Sequence, residues 1–385
     1  MLEPSARVIP FNKASFVGNE QAYMAEAIAN RHISGDGPFT KKTQALLEGV
    51  MGARQVLLTT SCTHALEMSA LLLDLEPGDE VIVPAFTFVS TVNAFALRRA
   101  VAVFVDVRAD TLNIDERLIE AAITPKTKAI VVVHYAGVAC EMDAIVDIAQ
   151  RHGLDLIEDN AHGLFATYQG KQLGTFGALA TQSFHETKNF TCGEGGALVV
   201  NEPRFMERAE ILREKGTNRA RFFRGAVDKY TWVDLGSSYV PSDLLAAFLL
   251  AQLEHRDSIQ HTRKQIWTRY HEGLRDWAQA HGVQLPYIPA DREQSYHMFY
   301  MLLPTLNERA RFLAELQRNG VNAVFHYTPL HRSEAAARLG ARGDCPVTES
   351  VSDRLVRLPF YNSLAFEDQT TVIEAVRSFA PAVRV

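Results

Sequence analysis

The stretch SFHETKNFTCGEGG (183–196) holds a lysine in a setting that suits a nucleophile. Lys188 follows the strand-like run ATQSF and precedes Gly193-Glu194-Gly195-Gly196. Glycines there let the backbone turn tightly and come close to a ligand. A lysine amine forms Schiff bases with carbonyl compounds once its site lowers its proton affinity. Upstream, DLIEDNAH (155–162) brings a strand to its carboxyl end at Asp159, where ligands of α/β sheets sit. Further upstream, Thr59-Thr60-Ser61-Cys62-Thr63 closes one strand and opens a helix. Ser61, Cys62 and Thr63 then offer outward N–H groups and a helix dipole to an anion.

Each feature alone has an ordinary explanation, a solvated lysine or a helix cap. Together they meet the needs of pyridoxal phosphate: an amine for the aldehyde, a carboxylate for the pyridinium, and a phosphate cup. Asp159 would keep the ring nitrogen protonated. Phe88 in PAFTFVST (84–91) is placed to cover the ring with an aromatic face. The chain has neither the GxGxxG of a dinucleotide fold after its first strand nor the GxxxxGK of a P-loop.

The elements that must position these residues follow from periodicity. Short apolar, β-branched runs occur at 55–60, 80–86, 102–107, 129–135, 155–159, 180–184 and 197–200. Helical patterns such as THALEMSALLLDL and MDAIVDIAQRHG separate most of the earlier ones. This alternation predicts an α/β domain around a mostly parallel seven-stranded sheet with helices on both faces. A long amphipathic helix is expected near 256–280, with Ile259, Ile266, Tyr270, Leu274 and Trp277 as a core-facing stripe. Residues 284–385 read as strand, helix, strand and helix, with Pro286, Pro289 and Pro304 punctuating the start. The expected division is a large domain over 1–255 and a linking helix with a small α+β domain over 256–385.

Composition narrows the class. The 385 residues exceed what one small core needs, and 47% hydrophobic with 22% charged residues is a globular balance. A net charge of -6 argues against a general nucleic-acid binder. Four scattered cysteines (Cys62, Cys140, Cys192, Cys345) without a CxxC pair argue against a disulfide scaffold and a thiolate zinc site. MLEPSARVIPFNKAS lacks the apolar core of a signal peptide, and no apolar stretch reaches the ~20 residues of a membrane helix, so a cytoplasmic location is expected. Without a secretory signal, the sequon Asn189-Phe190-Thr191 is a chance match.

In order along the chain, TTSCTHALEMSALLL, PGDEVIVPAFTFVSTVNA, FVDVRADTLNID, HYAGVACEMD, IEDNAH, SFHETKN, GEGGAL and HYTPLH resemble the sugar aminotransferases of the DegT/DnrJ/StrS type. The resemblance implies a fold-type I pyridoxal phosphate enzyme. It makes Lys188 the lysine that bonds the cofactor aldehyde and Asp159 the pyridinium partner. His162 falls beside the cofactor ring oxygen, Ser61, Cys62, Thr63 and Ser183 around the phosphate, and Phe88 over the ring. Ser238, in GSSY, stands where many members carry an asparagine that reaches the phosphate of a partner subunit, so a homodimer is implied.

The run REKGTNRARFFRGAVDKYTWVDLGSSY (213–239), with SGDGPFT and HETKN, is similar to the dTDP-4-amino-4,6-dideoxygalactose transaminases. These serve enterobacterial common antigen and related surface glycans. The resemblance implies amino transfer from L-glutamate to C4 of dTDP-4-keto-6-deoxy-D-glucose. Arg219 and Arg224 in its basic run are expected to cross the dimer to the sugar diphosphate, arginine being suited to bidentate phosphate contact. His326 and His331 of HYTPLH are expected to line or support the substrate cleft; without a third ligand they make no metal site. A 3-keto or UDP-linked sugar is the alternative within the family. A dehydratase of this fold would carry histidine in place of Lys188. A non-catalytic regulator would have lost part of the lysine, acid and phosphate set.

Overall fold

The computed structural model describes residues 8–380. Residues 1–7, part of the stretch read as lacking a signal, and 381–385, at the end of the stretch expected as a small α+β domain, lie outside the described residues. Twelve strands are present among the described residues: β1 (Gln55–Thr59), β2 (Glu80–Pro84), β3 (Val101–Val105), β4 (Thr127–Val133), β5 (Asp155–Asp159), β6 (Thr167–Tyr168), β7 (Lys171–Gln172), β8 (Leu179–Ser183), β9 (Gly196–Val200), β10 (Arg292–Glu293), β11 (Tyr300–Leu302) and β12 (Leu355–Arg357). Seven form the main sheet in the order β1-β9-β8-β5-β4-β2-β3. β9 runs antiparallel to both β1 and β8, and the other neighbours are parallel. The fold is thus the expected α/β arrangement with a mostly parallel seven-stranded sheet.

Strand period two sends neighbouring side chains to opposite faces, which is why these runs read as continuously apolar. Leu57, Val81, Val83, Phe104, Val131, Ile157 and Leu198 join one core with Leu66, Phe205 and Leu212. On the opposite face Val56, Leu58, Ala180 and Val199 pack with Phe39, Leu47 and Leu250. Beside them, Ile82, Val103, Ile130, Val132 and Leu156 pack with Ile145 and Ile148. Sandwiched between helices, the sheet presents its strand ends as the open edge. β5 ends on Asp159 and β8 on Ser183, and the helix Cys62–Leu72 begins just after β1.

The helix Arg256–Ala280 carries the expected stripe. Ile266, Trp267, Tyr270, Leu274 and Trp277 pack with Phe299, Met301, Phe312, Leu316, Val356, Val372 and Val376. Ile259 instead reaches the core of the main sheet. Ile9 joins the C-terminal core through a parallel bridge to Val321, so the start of the described chain packs far from its sequence neighbours. β11 pairs antiparallel with β12, Tyr300 opposite Arg357. Between the helix Leu306–Arg318 and β12 lie two further helices, Glu334–Arg338 and Pro346–Arg354. The four-element reading of this region did not contain them, because five to nine residues give too little periodicity to register. No described helix is long and apolar enough to cross a membrane.

Candidate active site

The strand ends open into a cavity of about 770 Å³ whose lining includes Asn12, Ser61, Cys62, Thr63, Phe88, Asp159, His162, Ser183, Lys188, His297, His326, Tyr327 and Arg357. That volume suits a cofactor with a substrate. The structure therefore brings eight residues expected at a cofactor site to one wall, from elements more than a hundred residues apart.

Asp159 is 5% exposed. Burial pushes its carboxyl up, and the Thr91 hydroxyl and the Ala161 N–H pull it back toward ionisation. Thr91 Oγ1 donates to Oδ2 at 2.7 Å and Ala161 N to Oδ1 at 3.2 Å. Thr87 Oγ1 lies 2.8 Å from Thr91 Oγ1, extending the chain of hydroxyls behind the acid. Cofactor chemistry needs this carboxylate charged, because a ring N–H would donate to it.

Lys188 sits in the loop between β8 and β9. Phe184 N donates to Gly195 O and Glu186 N to Gly193 O, closing the loop. Gly193 has φ +85°, the left-handed region where glycine has no steric penalty. Burial lowers the lysine's pKa to about 8, against the opposing pull of Cys62 and Asp159. Its ammonium has no hydrogen bond or ion pair among the described residues, so the amine is free to react.

Ser61 caps the helix Cys62–Leu72, its Oγ accepting from His64 N at 3.1 Å. The N–H groups of Cys62 and Thr63, in the first turn, have no carbonyl above them. A Cβ on Gly196 would fall 2.3 Å from Ser61 C and 2.4 Å from Cys62 N, so glycine is what lets β9 pass under the helix start. Burial and Asp159 push the Cys62 thiol up to about 12, making it a packing group rather than a nucleophile.

His162 stacks on His297 with ring centroids 4.3 Å apart, and its Nδ1 is buried without a partner. Burial, then Lys188 and Arg357, hold its proton affinity well below the ordinary range. His297 Nδ1 meets Asn189 Oδ1 at 2.9 Å. His326 Nδ1 lies 2.8 Å from the Tyr135 hydroxyl, with its ring on Tyr327. Phe88, at the first residue before the helix Val89–Ala96, is 53% exposed and forms part of the cavity mouth.

Four expected residues stand apart from this wall. His331 does not line the cavity: its Nε2 is 3.0 Å from Glu349 Oε1 and its ring faces Phe104. Arg219 and Arg224 are exposed on a projecting segment, paired with Glu214 at 3.5 Å and Glu210 at 2.8 Å. Ser238 is exposed on the same segment, bridged to Glu214. Conversely, Thr87, Thr91, His297 and Arg357 were not anticipated. Thr87 and Thr91 carried a signal, one helical turn apart beside Phe88. His297 and Arg357 lie beyond residue 284 with no motif to mark them.

The family model of the DegT/DnrJ/EryC1/StrS aminotransferases matches residues 15–377. The chain belongs to that family. It is 30% identical to the spore coat polysaccharide biosynthesis protein SpsC of Bacillus subtilis, over 98% of each chain. Among solved structures it is similar to the aminotransferase TlmJ of Streptoalloteichus hindustanus, 31% identical with a TM-score of 0.88, covering 96% of this chain and 98% of that one. Spr1654 of Streptococcus pneumoniae, solved with pyridoxal phosphate and with pyridoxamine phosphate, is 27% identical, with a TM-score of 0.89 for the latter form, which covers 96% of this chain and 97% of that one. The protein is a pyridoxal phosphate-dependent aminotransferase of fold type I.

The residues present fit that cofactor. A partly buried amine with no hydrogen bond or ion pair among the described residues, an orphaned His162 Nδ1, a hydrogen-bonded carboxylate and a glycine-backed helix start are what its aldehyde, ring and phosphate require. When bound, pyridoxal phosphate supplies an aldehyde and an electron-withdrawing ring that makes the donor's α-hydrogen acidic.

Proposed function

We propose that the protein moves the amino group of L-glutamate to C4 of dTDP-4-keto-6-deoxy-D-glucose, giving dTDP-4-amino-4,6-dideoxy-D-galactose. The observation that carries the reading is the depressed proton affinity of Lys188 in a cavity with Asp159 and the Ser61 helix start. Lys188 Nζ, left partly unprotonated near neutrality, takes the α-proton of the donor and in the second half-reaction delivers a proton to C4 of the sugar. Asp159, held by Thr91, keeps a proton at the pyridine nitrogen. The cavity would bring each substrate in turn to Lys188.

A nucleotide sugar as substrate is supported by the 213–239 stretch. A homodimer with active sites at the subunit interface is supported by the same segment. Its Arg219, Arg224 and Ser238 stand outside their own cavity, and Phe223 and Trp232 are 69% and 73% exposed. A second copy would cover the rings and receive the arginines at its own cavity. The deciding experiment incubates the enzyme with glutamate and dTDP-4-keto-6-deoxyglucose, its UDP analogue or a 3-keto analogue, and identifies the product by NMR. Amination only of the UDP or 3-keto sugar would overturn the proposal.

A further inference from the structure

Asn189 follows Lys188 in the loop between β8 and β9, and the two side chains part company. Lys188 lines the cavity. Asn189 is 7% exposed and bonds to residues 295–297 instead. Its Nδ2 donates to Ser295 O at 2.7 Å and to Gln260 Oε1 at 3.1 Å. A carbonyl oxygen only accepts, so the amide nitrogen faces Ser295 and the amide oxygen faces His297. His297 Nδ1 lies 2.9 Å from that oxygen. The ring proton therefore sits on Nδ1, and a bond from the residue next to the reactive lysine sets the plane of the imidazole. Burial, then His162 and Lys188, hold the proton affinity of His297 well below the ordinary range, so the ring is neutral.

The segment 295–297 is fastened from other sides as well. Ser295 N donates to Gly137 O at 3.2 Å, and the Ser295 hydroxyl donates to His162 O. A Cβ on Gly137 would fall 1.9 Å from Ser295 Oγ, so only glycine permits this approach. Arg263, 3% exposed, donates from Nε to Tyr296 O at 2.9 Å and from Nη2 to His297 O at 2.6 Å. Tyr296 has φ +53°, in the left-handed region that a bulky residue adopts only where its surroundings impose it. Such strain persists where a position is over-determined, and it clusters at active sites. No hydrogen bond among the described residues holds the His162 ring, whose Nδ1 is buried without a partner. Its ring neighbours are His297 at 4.3 Å and 19° between planes, then Tyr135 at 6.0 Å and His326 at 6.2 Å. His297 is thus the nearest support of that ring.

We propose that Asn189 and His297 are positioning residues: Asn189 sets the plane of the His297 ring, and that ring is the platform that holds His162 in place at the cofactor. The proposal rests on the reading that puts His162 beside the cofactor ring. Asn189 then ties the loop that carries Lys188 to the imidazole across the cavity. The amine and His162 keep one spacing while the two substrates come and go in turn. A shift of about 1 Å in a reacting group, caused from a distance, lowers a rate by up to about 100-fold. The Ser295 hydroxyl on the His162 backbone and the His297 ring on the His162 ring act together, since both belong to the one fastened segment.

The test follows rate, affinity and ring protonation in the same holoenzyme variants. His297→Ala and Asn189→Ala are mixed with glutamate and, loaded with pyridoxamine phosphate, with the nucleotide keto sugar, and conversion is followed by stopped-flow absorbance. His297→Ala should slow both half-reactions by about 10- to 100-fold, because His162 serves the cofactor and not one substrate. Glutamate and keto-sugar affinities should stay within about 3-fold of wild type. The double variant should lose no more than His297→Ala alone, since Asn189 acts through His297. Asn189→Asp keeps an oxygen toward the ring and removes the donor to Ser295, so it should recover most of the rate lost in Asn189→Ala. In nitrogen-15 spectra of histidine-labelled enzyme, the signal missing from His297→Ala should belong to a neutral ring protonated on Nδ1, and Asn189→Ala should mix its tautomers. His297→Ala at wild-type rates, additive losses in the double variant, or a His297 proton on Nε2 each overturn the proposal. Should Asn189→Ala not fold, Asn189→Asp carries the comparison: a rate within about 3-fold of wild type supports the proposal, and one as low as that of His297→Ala overturns it. If His162→Ala leaves both half-reactions unchanged, the placement of His162 at the cofactor is what fails, and the spectra still decide the Asn189–His297 bond.

Discussion

Thr91 Oγ1 and Asp159 Oδ2 are 2.7 Å apart, and this bond favours the charged form of an acid that burial pushes toward its neutral one. Burial drives the Asp159 carboxyl toward protonation, and the Thr91 hydroxyl is the largest opposing influence. Thr91→Val keeps the shape and removes the bond. Its expected effect is a weakening of pyridoxal phosphate binding by about 10-fold or more. Titration of the apoprotein by absorbance checks it; unchanged affinity would show that Ala161 N–H alone suffices.

Lys188 gives a pH prediction of fixed sign. Its ammonium loses its proton at about 8 in the folded protein, against 10.5 for an ordinary lysine. Only the free amine captures an aldehyde, so covalent uptake of cofactor should rise with pH to half its plateau near about 8. The unfolded chain keeps this proton up to 10.5 and the folded chain only to about 8. Between those values the unfolded state binds more protons, so this group makes the apoprotein more stable as pH rises. Lys188→Arg should show no borohydride-trapped adduct at any pH and no transamination.

Gly196→Ala tests the phosphate cup without touching a charge. The new Cβ would fall 2.3 Å from Ser61 C, a backbone atom that cannot swing away. Either β9 or the helix start must shift, and the Cys62 and Thr63 N–H groups proposed to hold the phosphate would shift with it. Cofactor affinity should drop by at least about 10-fold, since a charge-assisted bond contributes roughly 1.5–3 kcal/mol. Equilibrium dialysis measures it.

Much of this was legible in the chain. β5 spans the DLIED run, and the long helix covers 256–280, because each pattern was long or apolar enough to have one reading. The helix Asp243–Glu254 was not seen: DLLAAFLLAQLE is apolar on nearly every side, so it has no stripe. Its first residue also caps a distant helix. Asp243 Oδ1 accepts from Thr40 N at 2.7 Å and its Oδ2 from Phe39 N at 3.2 Å, a tertiary contact no local pattern encodes. Arg357 shows the same limit at the site. Its strand has three residues, and its meaning comes from packing against β11 and Phe11. Lys188 and Asp159 were legible because one cofactor demands both.

Behind Asp159, the side chains of His134 and Glu158 form a pair with 0% exposure each, Nε2 to Oε2 3.0 Å. Cys140 N donates to Nδ1, so the ring proton sits on Nε2 and points at the carboxylate. Glu158 also accepts from the N–H groups of Gly174, Phe176 and Gly177, each at 2.7 Å. Glu158→Leu strands three buried donors and the imidazole. The expected cost is about 3–5 kcal/mol, seen as a lower denaturation midpoint in urea. His134→Phe, which leaves the three N–H partners, should cost less. Equal costs would show that the imidazole, and not the loop 174–177, is what Glu158 secures.

The projecting segment provides the test of the dimer reading. In one chain Arg224 pairs with Glu210 and Arg219 with Glu214, each an exposed arginine on a partly buried carboxylate, and pairs at the protein surface typically contribute about 1 kcal/mol or less. Arg219→Ala and Arg224→Ala should therefore leave the fold and the glutamate half-reaction unchanged. If these side chains meet the sugar diphosphate in a second copy's cavity, each variant should raise KM for the nucleotide sugar about 10-fold or more. High salt should narrow the gap between wild type and variant, because the contact is a charge pair at a solvent-facing mouth. A mixed dimer gives the sharper result. One subunit carries Lys188→Ala and the other Arg219→Ala. Contact across the interface means the Lys188-bearing cavity receives an intact arginine from its partner and keeps its KM. Contact within one chain means that same cavity shows the raised KM.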